Sequence, residues 1–166
     1  PHVGHEPFAV LLGDDLIDPR DPLLARMVEV QEQHGGSVIA LMEVAPEQIH
    51  LYGCAAVETT DQDDLVKVTG LVEKPDPADA PSRYAVIGRY VLTPKIFEKL
   101  EQTQRGAGGE IQLTDAIQAL MQEQSVYGYA FDGVRYDAGT TMGWLQASVE
   151  LALERTDIGP EFRRYL

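Results

Sequence analysis

Carboxylate side chains follow a predicted strand near the start of the chain. The apolar run at residues 7–12 leads directly into Gly13, Asp14 and Asp15. Ligands of open α/β sheets bind just outside the carboxyl ends of such strands. Mg²⁺ commonly takes one or two protein carboxylates and completes its shell with phosphate and water. Asp14 and Asp15 are therefore candidate magnesium ligands, and a simple turn that begins with aspartate is the competing interpretation.

Asp137 occupies a comparable place later in the chain. It follows a short predicted strand and precedes Gly139, after which a helix is expected to begin. An ordinary residue at a helix entry is the competing interpretation. No spacing rule connects Asp137 with Asp14, so the residues alone do not join them into one metal site.

Glu73 and Lys74 end another predicted strand, directly before Pro75. Neighbouring side chains of a strand face opposite ways, so both can reach one ligand only if the strand breaks there, and proline provides such a break. A carboxylate accepts hydrogen bonds from sugar hydroxyls, and the lysine ammonium is a compact charge for a phosphate. The pair is therefore a candidate sugar-phosphate site, with a solvated turn as the alternative.

Two glycines in predicted strands could let a ring approach the backbone. Gly53 begins one strand and Gly88 lies inside another. A β-bulge is the favoured interpretation for each of them when it is taken alone. The acidic residues between 110 and 115 open a helix, so they are assigned to capping and to the helix dipole. The sequence contains neither a nucleophile-elbow serine nor a Walker or Rossmann glycine pattern, and covalent catalysis is disfavoured.

The elements that must position these residues alternate as in an α/β protein. A strand at residues 7–12, an amphipathic helix at 23–34 that stops at Gly35 and Gly36, and a strand at 37–44 predict a right-handed crossover in a parallel sheet buried on both faces. One domain over residues 1–166 is expected, with a polar tail after Pro160. Further strands are predicted at 53–57, 65–73, 85–92, 126–131 and 134–136, and further helices at 93–100, 111–122 and 141–155.

The charge balance limits the partners. A formal net charge of -14 disfavours binding to nucleic acid, and a phosphorylated small substrate would need a divalent cation and a well-placed Lys or Arg. The single cysteine, Cys54, permits no intramolecular disulfide and fits a reducing compartment. Neither a signal peptide nor an apolar run of bilayer length is present in the sequence, so we expect a cytoplasmic protein without a membrane partner.

Taken in order along the chain, the motifs resemble those of the nucleoside-diphosphate-sugar pyrophosphorylases. Within that family the sequence is most similar to the bacterial UTP:glucose-1-phosphate uridylyltransferases, over residues 8 to about 153. The segments that carry the resemblance are Phe8-Ala9-Val10-Leu11-Leu12, Val72-Glu73-Lys74-Pro75, the stretch from Ala85 to Leu92, Gly106-Ala107-Gly108, and Glu110-Ile111-Gln112-Leu113-Thr114-Asp115-Ala116-Ile117.

The resemblance implies a Rossmann-like nucleotidyltransferase fold with a mixed, mainly parallel sheet flanked by helices. It implies a Mg²⁺-assisted in-line displacement that forms UDP-glucose and pyrophosphate from UTP and glucose 1-phosphate, in a homodimer or homotetramer. The roles it implies are Mg²⁺ ligation by Asp14 and Asp137, contact with glucose hydroxyls by Glu73 and the amide of Gly53, phosphate binding by Lys74, and packing of Gly88 against the sugar.

Departures from the family pattern keep alternatives open. Gly13 stands where uridylyltransferases often have Pro, and Ala138 stands where some of them have Cys. The pair Gly13-Asp14 is therefore also similar to the thymidylyltransferases. The glycine-rich nucleotide loop of the family is absent from the sequence, so we expect the C-terminal part of an enzyme, incomplete at its N-terminus and inactive by itself. A thymidylyltransferase, a metal-dependent glycosyltransferase and a non-catalytic sugar-phosphate-binding fragment are the alternatives.

Overall fold

A computed structural model describes residues 3–106 and 109–166 of the chain. These residues fall into two compact units: a large unit, made of the residues up to Leu11 together with Pro22–Asp132, and a small unit, made of Leu12–Asp21 and Gly133–Leu166. The single domain expected for residues 1–166 stays a prediction. In the part of the chain that the structure describes, no helix has the length and apolar character needed to cross a bilayer.

Short strands and helices alternate along the described residues. A 3₁₀ helix at Pro46–Leu51, which the sequence did not predict, precedes the fourth strand. The strands are β1 (Phe8–Leu11), β2 (Asp15–Ile17), β3 (Ser37–Glu43), β4 (Gly53–Thr59), β5 (Leu65–Glu73), β6 (Tyr84–Leu92), β7 (Val126–Ala130) and β8 (Arg135–Asp137), and the α-helices are α1 (Leu23–His34), α2 (Lys95–Gln102), α3 (Leu113–Leu120), α4 (Thr141–Glu154) and α5 (Gly159–Tyr165).

The large unit is built on a six-stranded mixed sheet with the order β1-β6-β3-β7-β5-β4. The mixed sheet is as predicted, but its parallel share is smaller than expected. Among the described strands only β3 and β7 pair in parallel, whereas the other neighbouring pairs are antiparallel. β6 lies between β1 and β3 and runs opposite to both, and β5 runs opposite to its neighbours β7 and β4.

The first strand is not buried on both faces, so that expectation is wrong. Phe8 and Val10 are half-buried, whereas Ala9 and Leu11 are exposed. In the described sheet β1 is an edge strand that pairs with β6, and one of its faces packs on α2, where Phe8 stacks on Phe97 with 5.3 Å between ring centroids. One packed face gives an alternating pattern rather than a uniformly buried strand.

The core of the large unit lies where α2 and α3 pack on the sheet. Helix α3 buries Ala116, Ile117 and Leu120 on one face. The helix predicted at 111–122 begins later than expected, because Gln112 has an extended backbone and α3 starts after it, and Ile111 is exposed. The main apolar cluster contains Ile39, Leu41, Ala55, Val66, Val68, Leu71, Tyr90, Leu92, Ile96, Ala116, Ile117, Leu120 and Val126.

The small unit pairs β2 with β8 in an antiparallel ribbon and adds α4 and α5. The predicted polar tail after Pro160 is wrong, because these residues form α5 with Pro160 in its first turn. Proline fits that position, since the amide it lacks has no acceptor within the helix there.

Helix α1 ends at two glycines that both adopt left-handed backbone, with φ of 69° at Gly35 and 71° at Gly36. A β-carbon on Gly35 would meet nothing within 4 Å, but one on Gly36 would lie 2.2 Å from the carbonyl oxygen of Ser125. We expect Gly35→Ala to lower the free energy of unfolding by about 1–3 kcal/mol, because its φ of 69° combined with ψ of -169° is essentially restricted to glycine.

Gly36→Ala should cost at least ~2 kcal/mol more, because the backbone at Ser125 must also move. Urea unfolding of both variants measures the difference. Equal losses for the two substitutions would contradict this steric account of the glycine stop.

Candidate functional site

The β2–β8 ribbon brings two of the candidate metal ligands to one place in the small unit. Asp15 is the register partner of Asp137, and just beyond that pair the amide of Ala138 donates to the carbonyl of Asp14 over 2.7 Å. Asp14 is exposed and Asp137 is half-buried. Antiparallel pairing therefore makes neighbours of two aspartates that are far apart in sequence.

Gly139 lies beside both carboxylates. Its amide donates to Asp137 Oδ1 over 3.1 Å. A β-carbon on Gly139 would lie 3.1 Å from Asp137 Oδ1 and 3.2 Å from Asp14 Oδ2. The two carboxylate oxygens thus border one small space, which any side chain at position 139 would fill. Two negative charges around one space favour a bound cation.

The donor set of this space fits a hard divalent ion. Mg²⁺ uses one or two carboxylates and keeps open positions for water and phosphate, and two carboxylate oxygens face the space at Gly139. Among the described residues no group of three or more His, Cys, Asp or Glu side chains could hold a metal ion. A site closed by protein ligands alone, as structural zinc requires, is therefore not formed by these residues.

Asp15 has a different role from Asp14, although the sequence suggested the same chemistry for both. Its side chain is buried and accepts from Arg135 Nε over 2.5 Å, and the two side chains are only 7% and 11% exposed. Asp15 therefore holds β2 against β8 rather than offering a free carboxylate to a metal. Arg135 was not among the residues predicted from the sequence. The available signal was its position two residues before Asp137 in a short strand, which puts both side chains on the same face.

Helix α4 fixes the backbone of Asp137. The hydroxyl of Thr140 donates to the Asp137 carbonyl and accepts from the amide of Gly143, each over 3.1 Å, which makes Thr140 the N-cap of the helix. A β-carbon on Gly143 would lie 2.0 Å from the Asp137 carbonyl oxygen, so only glycine permits this close packing.

A second contact ties β8 to α4. The hydroxyl of Tyr136 donates to Glu150 Oε2 over 2.7 Å. This hydrogen bond to a carboxylate raises the pKa of Tyr136 to about 12, because it stabilises the protonated phenol. Tyr136 therefore stays neutral over the physiological range and continues to donate.

In the large unit, the predicted sugar-binding residues Gly53 and Glu73 are brought together. They are register partners across β4 and β5. Thr114 of α3 donates its hydroxyl to Glu73 Oε2 over 2.6 Å. A β-carbon on Gly53 would lie 3.2 Å from that carboxylate oxygen and 3.2 Å from Thr114 Oγ1. These three residues form a small polar space, called here the Gly53 recess.

Lys74 marks the strand break that the sequence analysis assigned to Pro75. Its backbone has φ of 45°, the only positive φ of a non-glycine residue in the described ranges, and its amide donates to the carbonyl of Tyr52 over 3.0 Å. A left-handed backbone costs a lysine about 1–2 kcal/mol, and the following proline disfavours helical backbone further. The break lets Glu73 and Lys74 escape the strict alternation of a strand, and the Lys74 side chain is exposed.

Gly88 is buried within β6. The pairing of β3 with β6 changes register between Ile39 and Leu41, whose partners are Tyr90 and Val86, so Gly88 lies in the irregular part of the strand. The favoured interpretation of this glycine, a β-bulge, agrees with that position. Its packing against a sugar stays a prediction.

Other candidates lie away from these sites. His5, His34 and His50 are exposed, and His2 lies outside the described residues. Cys54 is buried and its sulfur donates to the Ser82 carbonyl over 3.3 Å, which leaves it in no reactive environment. Of the Gly106-Ala107-Gly108 motif, only Gly106 is described.

Comparison with known proteins places these features in a family context. Residues 2–154 match the family model for nucleotidyl transferases. The chain is 45% identical over 168 residues to the UTP--glucose-1-phosphate uridylyltransferase of Streptococcus pneumoniae, a match that covers 99% of this chain and 56% of the relative.

Two solved structures show the same mixed α/β fold. A UDP-glucose pyrophosphorylase complexed with UDP-glucose is 39% identical with a TM-score of 0.86, over 93% of this chain and 59% of that one. A UTP-bound UGPase from Acinetobacter baumannii is 35% identical with a TM-score of 0.87, over 99% of this chain and 57% of that one. The chain thus spans little more than half the length of these relatives.

Loss of one partner of the buried ion pair between Asp15 and Arg135 should strongly destabilise the small unit. Asp15→Ala removes a carboxylate that compensates the buried guanidinium charge, so we expect the free energy of unfolding to fall by about 3–5 kcal/mol. The matched control is Asp157→Ala, which breaks the exposed pair with Arg155 and should change stability little. Thermal and urea unfolding check both, and similar losses would show that the buried pair is not special.

Proposed function

The chain belongs to the nucleotidyl transferase family, and we propose that it forms the sugar-phosphate-binding and metal-binding part of a UTP:glucose-1-phosphate uridylyltransferase. The reaction would convert UTP and glucose 1-phosphate into UDP-glucose and pyrophosphate. The uridylyltransferase relative and the UDP-glucose pyrophosphorylase structure support this choice over a thymidylyltransferase, a glycosyltransferase or a non-catalytic fragment.

The observation that carries the proposal is the space at Gly139 between the carboxylate oxygens of Asp14 and Asp137. We assign Mg²⁺ to these two side chains, because hard oxygen ligands and a half-open site suit that ion. When bound, the metal would neutralise the negative charge of the reacting phosphates. With a net charge of -14, the protein itself offers little other relief from that repulsion.

Each remaining site residue has a role that its chemistry suits. Lys74 would hold the phosphate of glucose 1-phosphate with its exposed ammonium group. Glu73 would accept hydrogen bonds from glucose hydroxyls, and the amide of Gly53 would donate one. Gly88 would pack against the sugar. The left-handed backbone at Lys74 supports an assignment to function, since strained residues cluster at ligand-binding positions.

Under this proposal the chain catalyses by positioning and charge, without a covalent enzyme intermediate. A phosphate oxygen of glucose 1-phosphate attacks the α-phosphorus of UTP, the new P–O bond forms in line with the bond that breaks, and pyrophosphate leaves with that bond's electrons. Lys74 would keep the attacking phosphate in place. Neither a nucleophilic serine nor the buried Cys54 is needed.

We also propose that the enzyme acts in the cytoplasm as a homodimer or homotetramer. Exposed apolar side chains in the small unit support self-association, because such surface is commonly covered by a partner. On α4 these side chains are Met142, Trp144 and Leu145.

The direct test is turnover of the full-length protein with glucose 1-phosphate, Mg²⁺ and either UTP or dTTP, followed by release of pyrophosphate. We expect UTP to be preferred. Faster turnover with dTTP would favour a thymidylyltransferase. Absence of turnover with either nucleotide, combined with release of UDP from added UDP-glucose, would favour a glycosyltransferase. Binding of glucose 1-phosphate without turnover would favour the non-catalytic alternative.

Lys74→Ala in the same assay should lower kcat/KM by roughly 100-fold, since a positioned charge contact commonly contributes ~3 kcal/mol to the transition state. Lys67→Ala is the matched control, because Lys67 is an exposed lysine of β5, the strand that ends directly before Lys74. The control should keep normal activity. A loss below fivefold for Lys74→Ala would remove Lys74 from the mechanism.

A further inference from the structure

We propose that Thr114 is a positioning residue that presents the Glu73 carboxylate to a hexose hydroxyl, and that Gln118 fixes the helix from which Thr114 acts. This inference rests on the proposed function and adds to it a source of sugar specificity. It concerns only the large unit, where β5 and α3 pack together.

The Glu73 carboxylate already accepts a hydrogen bond within the chain. Thr114 Oγ1 lies 2.6 Å from Glu73 Oε2 and donates to it, so one carboxylate oxygen has a fixed partner before any ligand arrives. Both side chains are half-buried, which strengthens a hydrogen bond to a charged group relative to one in open water. The contact restricts the rotation of Glu73 and leaves Oε1 and the second lone pair of Oε2 as acceptors for a ligand.

Helix α3 is attached to β5, the strand that ends at Glu73, by a further hydrogen bond. Gln118 follows Thr114 by four residues, so the two side chains lie on the same face of α3. The side-chain oxygen of Gln118 accepts from the backbone amide of Leu71 over 2.6 Å. Helix α3 thus contacts β5 at Leu71 and again at Glu73, and the two hydrogen bonds fix the position of the strand end relative to the helix.

The Gly53 recess is lined by hydrogen-bond acceptors. Its polar walls are Glu73 Oε2 and Thr114 Oγ1, each 3.2 Å from the position that a β-carbon of Gly53 would take. The single hydroxyl proton of Thr114 is directed at Glu73, so both walls offer only acceptor lone pairs to a ligand. Acceptors suit the O–H donors of a sugar ring and repel a phosphate. The recess would therefore take a hydroxyl of the hexose and not its phosphate.

Calorimetric binding of glucose 1-phosphate to the chain tests this role. Thr114→Val keeps the shape of the side chain but removes the donor, and we expect the Kd to rise roughly tenfold or more, as for loss of a hydrogen bond to a charged group. Thr114→Ser keeps the hydroxyl and should bind within about threefold of the unaltered chain. Thr69→Val, at an exposed threonine of β5, is the matched control and should have no effect.

A double-mutant cycle separates positioning from general damage. If Thr114 acts through Glu73, then Thr114→Val should add little to the loss already caused by Glu73→Gln, so the two effects will not be additive. In the full-length protein, Thr114→Val should raise the KM for glucose 1-phosphate and leave the KM for UTP unchanged. Thr114→Ala serves as the second test if the valine variant does not fold.

The outcomes distinguish this inference from the function on which it rests. Normal binding by the unaltered chain, combined with unchanged binding by Thr114→Val or with additive effects in the cycle, would overturn the role of Thr114 alone. If the unaltered chain does not bind glucose 1-phosphate, the proposed function fails and the role of Thr114 fails with it.

Discussion

The pairing of β2 with β8 is the constraint on which the chemistry of the small unit depends. Each strand has only three residues, and the register sets Asp15 opposite Asp137. Two carboxylates in facing positions repel one another, and Arg135 compensates for this by its buried contact with Asp15. The pairing places Asp14 and Asp137 around Gly139, so a structural ion pair maintains the geometry of a candidate metal site.

In the large unit, too, structural contacts hold the candidate site residues in position. The register of β4 and β5 brings Gly53 to Glu73, and α3 restrains the carboxylate from the side. The strand then breaks at Lys74, where a left-handed backbone turns the chain out of the sheet. Residues that hold the backbone and residues that would touch the substrate are thus adjacent in sequence, which explains why a short motif combines Glu, Lys and Pro.

Local patterns predicted much of this architecture. The amphipathic stripe and the double glycine located α1 and its end, and the strands at Gly53, Leu65 and Val126 begin where expected. The sheet was predicted less well, because periodicity does not tell which strand lies beside which, and β6 enters between β1 and β3. Glu73, Lys74, Asp14 and Asp137 were predicted as site residues from the sequence. The different roles of Asp14 and Asp15, and the contact of Thr114 with Glu73, could not be predicted, because both depend on partners distant in the chain.

Binding of a divalent ion to the chain, with Mn²⁺ as a paramagnetic substitute for Mg²⁺, tests the shared metal site at Gly139 most directly. Loss of a group that only hydrogen-bonds to a metal ligand already costs about 10–100-fold in metal affinity, so Asp14→Asn and Asp137→Asn should each weaken Mn²⁺ binding at least ~10-fold. Asp157→Asn, which alters an exposed ion pair of the same unit, should leave it unchanged. Equal Mn²⁺ affinity in all four proteins would contradict the shared metal site at Gly139.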